Sequence, residues 1–263
     1  MFDNQASIFD SMVGRRMTFT SNLLLREVII PDEPVALDIA CGTGISTYEL
    51  IKKSEGIGTF YGIDLSDSMI ETAKRNAVQQ GYHAVFSQGD AENLEFPDSM
   101  FNLAICNMSF HFFPNKGKAL SEMYRVLKPG GHAVLLFPGR GGIKEASDIF
   151  LKVAERHPEY PGFLGTVNRF LGGFLSLEDA VRLFQDSDFI IHDLFSRRNI
   201  RFVDPGIYVG DTPVYQDMWR SGVPPDAVNE VGEEMLVEFR KLSDNRGFKL
   251  SSVFVIAVVK KQD

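Results

Sequence analysis

Between residues 35 and 137, short apolar runs alternate with stretches whose apolar positions recur every three or four residues. The runs at 35–40, 59–63, 83–87, 102–107 and 132–137 read as strands. The first, VALDIA, is apolar except for Asp38 and fits a strand buried on both faces. The stretches near 45–53, 67–80 and 115–127 predict helices; Ile45, Tyr48 and Ile51 fall on one face of the first. Ser66, Asp67 and Ser68 offer N-caps for the second, with Glu71 three residues past Ser68, and Gly81 ends it. Lys128–Pro129–Gly130–Gly131 is turn chemistry before the strand at 132–137. This alternation predicts a parallel sheet covered by helices on both faces.

The flanks are less regular. Ile8, Phe9, Met12 and Val13 have helical spacing, and Thr20 or Ser21 is placed to cap a second helix over 22–30, stopped by Pro31. After the break GRGG that opens at Gly139, 143–156 reads as helix and HPEYPGFLG (157–165) as loop. Ser176 caps a helix over 177–188, and 190–203 alternates like a strand. Residues 204–223 read as loop and short helix containing Tyr208, Tyr215 and Trp219; a helix from about 225 to 242 and a strand over 249–261 follow. No internal repeat or low-complexity tract interrupts the chain. The expected organisation is a single domain over 1–263: a sheet core from about 31–138, 176–203 and 248–263, and a cap from 1–30, 139–175 and 204–247.

The candidate chemistry clusters at predicted strand ends. Gly42 and Gly44 let the backbone bend sharply after the first strand and approach a ligand closely. A dinucleotide fingerprint would need a third glycine where Thr47 stands, and a phosphate-binding loop would need Lys and Ser/Thr where Ile45 and Ser46 stand. Asp64, at the end of the next apolar run, is suited to accept hydrogen bonds from both hydroxyls of a ribose. An acid of this kind without a full pyrophosphate site points to an adenosine ligand carrying no pyrophosphate. Gly42, Asp64, Asp90 and Asn107 each fall at or just past a strand's carboxyl end, where open sheets of this class bind ligands.

The motifs DIACGTG, GIDLSDSMIETAKRN, QGDAENLEFPDSMFNLAICNMSFHF and EMYRVLKPGGHAVLLF, in this order, resemble the class I S-adenosylmethionine-dependent methyltransferases, closest to the group of quinone-biosynthesis and small-molecule enzymes. The resemblance spans roughly residues 35–137 and implies a Rossmann-like, doubly wound, mostly parallel seven-stranded α/β sheet with an antiparallel last strand and a helical cap. It implies that Asp38, Ala40, Gly42 and Gly44 border the methionine part of the cofactor. Asp64 would hold the ribose, Leu65 and Met69 the adenine faces, and Asp90 with the Ala91 backbone the adenine amino group. Asn107 ends the fourth strand beside the cofactor, and His111 follows where a substrate-side group would sit, reading either as a base near neutral pH or as a structural histidine. In the family such leading helices fold over the cofactor as part of a lid; residues 5–19 read as such a lid or as a helix packed on the sheet edge, and residues 22–30 as the packed helix. Where the family usually has Asp, this chain has Asn102. The expected reaction moves a methyl from S-adenosyl-L-methionine to a small, apolar or aromatic acceptor by in-line displacement and releases S-adenosyl-L-homocysteine. Two other readings stay open: a nicotinamide-dependent oxidoreductase on the same fold, and a non-catalytic S-adenosylmethionine-binding protein.

Composition narrows the partners. With net charge −8, pI about 5.2 and no Lys/Arg cluster longer than a pair, nucleic-acid substrates are disfavoured. Cys41 and Cys106 sit in apolar runs and read as buried free thiols of a reducing compartment, and no metal-ligand spacing is present. The start lacks the long apolar stretch of a signal peptide, and the longest apolar run, 253–259, is too short to cross a bilayer. A cytoplasmic monomer or homodimer without an integral membrane segment is expected. The 22 phenylalanines are numerous, and Phe2, Phe9, Phe19, Phe110, Phe112, Phe113, Phe163, Phe170 and Phe174 lie outside the sheet motifs. They read as core and lid packing or as the lining of an aromatic acceptor pocket, with Tyr160, Tyr208, Tyr215 and Trp219 as polar handles.

Overall fold

The computed structural model describes residues 6–204, 206–209 and 218–263, with the side chains of 6–8, 12, 207 and 208 not included. Helix α1 (Ala6–Leu25) leads into β1 (Val35–Ile39), α2 (Ile45–Lys53), β2 (Thr59–Asp64), α3 (Asp67–Gln80), β3 (Val85–Gln88), β4 (Phe101–Asn107), α4 (Lys116–Val126) and β5 (Leu127–Pro138). There follow α5 (Lys144–Arg156), α6 (Pro161–Gly172), α7 (Leu177–Gln185), β6 (Ile190–Val203), the single turn α8 (Gly206–Val209), α9 (Val228–Lys241), β7 (Ser243–Asp244) and β8 (Gly247–Lys260). The sheet order is β3-β2-β1-β4-β5-β8-β6, with the two-residue β7 paired to β8. Parallel pairing runs from β3 to β5, and the C-terminal strands are antiparallel. The expected α/β architecture is therefore present, extended by one short hairpin strand.

The chain divides into two compact units. The first comprises Phe2–Phe137, Ser176–Ser196 and Val255–Asp263. Its core is the row of fully buried aliphatics Leu37, Ile39, Leu103, Ile105, Leu135 and Leu136. Each such side chain contributes about 2 kcal/mol through removal from water. Phe110 packs against Phe137 and Phe184 with ring centroids 5.1 and 6.0 Å away. Helix ends follow the local chemistry: Ser66 caps α3 and Gly81 closes it in the left-handed conformation, while Asn115 caps α4 and Ser176 with Asp179 forms a capping box on α7.

The second unit comprises Pro138–Leu175 and Arg197–Phe254. It has its own aromatic core, in which Phe150 and Phe248 pack edge-on against Phe239 (5.8 and 4.8 Å), and Phe163 lies 6.3 Å from Trp219. A buried Glu238 on α9 accepts from Lys152 and Arg156 of α5 and from Lys241. These cations, Lys152 first, hold its carboxyl down to about 2.

Four expectations need correction. The leading segment is one helix rather than two: Thr20 and Ser21 do not cap but bond their hydroxyls to the Arg16 and Met17 carbonyls one turn back, so the helix runs through them. Residues 161–165 are not loop. Pro161 opens α6 at a position whose amide needs no partner, and the buried Phe163 and Val167 share one face that the glycines obscured. Lys128–Gly131 is not a turn before β5 but a bulge within it, because Phe101 pairs with Leu127 while Leu103 pairs with His132. Trp219 is not a polar handle but a core residue at 0% exposure, and Phe110, Phe163 and Phe174, at 4% or less, follow the core-packing reading of the phenylalanines. Phe2 and Tyr215, and the Tyr208 side chain, lie outside the described residues.

Asn102 shows why this chain departs from aspartate. Its Oδ1 accepts the Val35 amide at 2.8 Å and its Nδ2 donates to the Glu33 carbonyl at 3.0 Å, pinning the start of β1. An amide does both, whereas an ionised carboxylate can only accept. Asn102→Asp is expected to cost about 1–2 kcal/mol of stability by setting a carboxylate oxygen against that carbonyl. The check is the urea midpoint, and an unchanged midpoint would refute it.

Candidate active site

β1 ends at Ile39, and the chain bends through Ala40 (φ +57°), Gly42 (φ +55°) and Gly44 (φ +88°) into α2. Gly44 is required twice over. Its backbone is left-handed, and a Cβ there would stand 2.5 Å from the Tyr48 hydroxyl, which donates to the Ala73 carbonyl at 2.6 Å. At Gly42 the reason differs: a Cβ would meet nothing within 4 Å, so the space in front of this glycine is open. Ala40 holds the left-handed conformation without being glycine, at a cost of about 1 kcal/mol or more. Its neighbours fix it: Ser109 Oγ donates to the Ala40 carbonyl at 3.3 Å, and the Cys41 amide donates to the Ile63 carbonyl at 2.8 Å.

Asp64, half-buried at the end of β2, joins the three loops. Its Oδ2 accepts the Gly42 amide and its Oδ1 the Ser66 amide, both at 2.9 Å, and its carbonyl accepts the Gly89 amide at 3.0 Å. Asp38 is 2% exposed within β1. Its Oδ2 accepts the Thr47 hydroxyl at 2.7 Å, whereas Oδ1 has no hydrogen-bond partner among the described residues. Burial pushes its carboxyl up to about 7, opposed by the Thr47 bond and assisted by the charge of Asp64. Thr47 therefore does more than break the dinucleotide fingerprint, since its buried side chain ties α2 to Asp38. Beyond β3, Asp90 is exposed and its Oδ1 accepts the Glu92 amide at 2.9 Å, while Ala91 beside it is buried. Leu65 and Met69 separate: Leu65 is 70% exposed after β2, and Met69 is 2% exposed in the core.

At the end of β4, Asn107 is buried with its amide nitrogen 3.0–3.1 Å from the hydroxyls of Thr20, Ser21 and Ser46. His111 lies in the short 3-10 turn Phe110–Phe112 with its ring 3.9 Å from that of Phe112. Burial, with Lys116 and Arg16 nearby, lowers its imidazole to about 3, so it is neutral at physiological pH. Among the described residues no group of three or more His, Cys, Asp and Glu is placed to hold a metal ion, and no helix is long and apolar enough to cross a membrane. Cys41 and Cys106 are free and buried, and burial raises both thiols well above their usual range.

Sequence reasoning missed three groups. Asp10 on α1 accepts from Thr43 of the glycine bend and from Asn76 of α3 at 2.8 Å, latching the leading helix onto the loop. Thr20 and Ser21 surround Asn107 rather than capping a helix. Lys53 of α2 caps the far end of α1 by donating to the Leu25 and Val28 carbonyls. Adjacent hydroxyls beside the apolar run Leu23–Leu25 were the one available signal; the contacts at Asp10 and Lys53 join residues too distant in sequence to leave any.

Residues 36–131 match the family model described as a methyltransferase domain. The demethylmenaquinone methyltransferase of Staphylococcus aureus is 30% identical over 207 residues, 72% of this chain and 83% of that protein. The enzyme of the same name from Lactiplantibacillus plantarum is 37% identical over 102 residues, 38% of this chain and only 43% of that protein. Among solved structures, the YcgJ protein of Bacillus subtilis superposes with a TM-score of 0.64 at 18% identity, covering 93% of this chain and 99% of that one. The likeness in structure is one of fold, and the likeness in sequence carries the assignment. The chain belongs to the class I S-adenosylmethionine-dependent methyltransferases, in their quinone-biosynthesis-like group.

Proposed function

We propose that the protein binds S-adenosylmethionine at the carboxyl ends of β1, β2 and β4 and transfers its methyl group to a small aromatic acceptor of the quinol type. The observation that carries this reading is the unpartnered, buried Oδ1 of Asp38, near enough to Asp64 for their charges to interact; the space at Gly42, whose amide Asp64 accepts, is open. The residues fit the cofactor: a buried acceptor without a donor suits an ammonium group, and open space at a glycine suits a close-lying chain. In this reading Asp38 holds the amino-acid end, with Ala40, Gly42 and Gly44 along the methionine part. Asp64 takes the ribose hydroxyls, Leu65 lies over an adenine face, and Asp90 with Ala91 holds the adenine edge. Met69 backs the pocket from the core.

When bound, the sulfonium supplies a methyl group already activated for nucleophilic attack. The protein's part is to hold it in line with the acceptor and keep water away. The acceptor class is supported by the Staphylococcus aureus relative, a demethylmenaquinone methyltransferase 30% identical to this chain over 72% of its length. His111 is assigned to the acceptor side. Neutral and buried, it is suited to accept a hydrogen bond from a hydroxyl nucleophile and to orient it, and less suited to hold a full proton. The buried thiols support a reducing, cytoplasmic setting, and we expect a monomer or homodimer. The dinucleotide alternative loses its support where Thr47 fills the third glycine's place and bonds Asp38.

Calorimetric titration with S-adenosylhomocysteine tests the site, and absence of binding would refute the proposal. With demethylmenaquinol as acceptor, His111→Ala is expected to lower kcat roughly tenfold, the size of one lost orienting hydrogen bond, and to leave the cofactor Kd unchanged. Unaltered turnover would reduce His111 to packing.

A further inference from the structure

The surroundings of Asn107 fix which way its amide points. Three hydroxyl oxygens surround the nitrogen: Thr20 and Ser21 at 3.1 Å and Ser46 at 3.0 Å. A hydroxyl carries one proton and can accept through its lone pairs. Thr20 directs its proton to the Arg16 and Met17 carbonyls at 3.2 and 3.1 Å, and Ser21 directs its own to the Met17 carbonyl at 2.7 Å. Both therefore face Asn107 as acceptors, so the group that meets them is the NH₂. The oxygen, Oδ1, is consequently turned away from α1. It is buried and has no hydrogen-bond partner among the described residues.

Asp38 Oδ1 is in the same condition on the adjacent strand. Asp38 pairs with Ile105 in parallel register. Paired residues of neighbouring strands share a face, and so do residues two apart on one strand. The side chains of Asp38 and Asn107 thus emerge on the same face of the sheet, at the carboxyl ends of β1 and β4. Two buried acceptors, one a carboxylate and one an amide, stand there without donors. A primary ammonium offers three donors and a positive charge, and it satisfies both.

We infer that Thr20 and Ser21 of α1 are positioning residues: they hold Asn107 Oδ1 as a second acceptor, beside Asp38, for the ammonium group on the amino-acid end of the cofactor. The inference rests on the cofactor site proposed above and adds that the leading helix sets the chemistry of one end of it. The helix thereby discriminates for ligands that carry an amino-acid tail.

The test compares two ligands on the full chain by calorimetry. S-adenosylhomocysteine has the amino-acid end; methylthioadenosine has the adenosine and the sulfur but lacks it. In the Thr20→Val/Ser21→Ala variant, the dissociation constant for S-adenosylhomocysteine is expected to rise roughly tenfold and that for methylthioadenosine to stay within about twofold. Thr20→Ser, which keeps a hydroxyl, retains near-normal binding of both. Because the pair is fully buried, Thr20→Val alone, of nearly equal shape, carries the same test if the double variant does not fold; the selective loss is then roughly threefold. Equal weakening of both ligands, as from a loosened helix, would overturn the inference, and so would unchanged binding of S-adenosylhomocysteine. If the unsubstituted chain bound neither ligand, the cofactor site itself would fall, a different result from loss of selectivity.

Discussion

Asp64→Ala is expected to raise the dissociation constant for S-adenosylhomocysteine by one to two orders of magnitude, about 1.4–2.8 kcal/mol. Two effects act together. The proposed ribose bonds are charge-assisted and stronger than neutral ones. In addition, Asp64 accepts the Gly42 amide on one oxygen and the Ser66 amide on the other, so its removal frees two of the loops that shape the pocket. Asp64→Asn separates the effects. It keeps one carbonyl oxygen to accept from a loop amide but loses the charge, and its loss of affinity is expected to be intermediate. Thermal melts of each variant control for global unfolding. A Kd unchanged in Asp64→Ala would remove this residue from ligand binding.

Asp38→Asn is expected to stabilise the ligand-free protein at alkaline pH and to weaken its binding of the cofactor. The wild-type carboxyl is raised from 3.8 to about 7, chiefly by burial. For an acid raised in the folded state, the neutral form is the favoured one. Its contribution to stability is therefore greatest below the unfolded value, declines as pH rises from 3.8 to about 7, and is lost above. At about 1.36 kcal/mol for each pH unit, the ceiling of that loss is about 4 kcal/mol. Asparagine has no charge to bury and can still accept the Thr47 hydroxyl, so its melting temperature near pH 8 should exceed that of the wild type, with little difference near pH 4. Binding runs the other way. If the ionised carboxylate meets an ammonium group, wild-type affinity should rise roughly tenfold between about pH 6 and pH 8 as the acid ionises, and the variant should show a flat profile. A flat wild-type profile would separate Asp38 from the cofactor's charged end.

Both expectations concern residues that local patterning exposes. The strand over residues 35–39, the bend through Gly42 and Gly44, the acid at 64 and the cap at Ser66 all arise from neighbours within a few positions: apolar runs, missing Cβ atoms and a hydroxyl three residues before the amide it caps. Elements whose signal was diluted came out differently. The glycines at 162 and 165 hid the helical face of α6, and the hydroxyls at 20 and 21 resembled a helix start because their burial was not visible in sequence. Similarly, the aromatic residues of the Pro138–Leu175 and Arg197–Phe254 unit could be counted, but that Phe163 and Trp219 fill its core became clear only from packing.

The sequence by itself determined the α/β architecture, the position of the glycine bend after β1 and the carboxylates near the strand ends, since backbone conformation and alternating burial are written into short stretches of chain. The tertiary structure decided which groups finish the site. The Thr47 bond to Asp38, the Asp10 latch on Thr43 and the hydroxyls around Asn107 join residues up to 87 positions apart. A hydrogen bond constrains position in space and not separation along the chain, so no local pattern reveals which donor meets which acceptor, or which acceptors are left for a ligand.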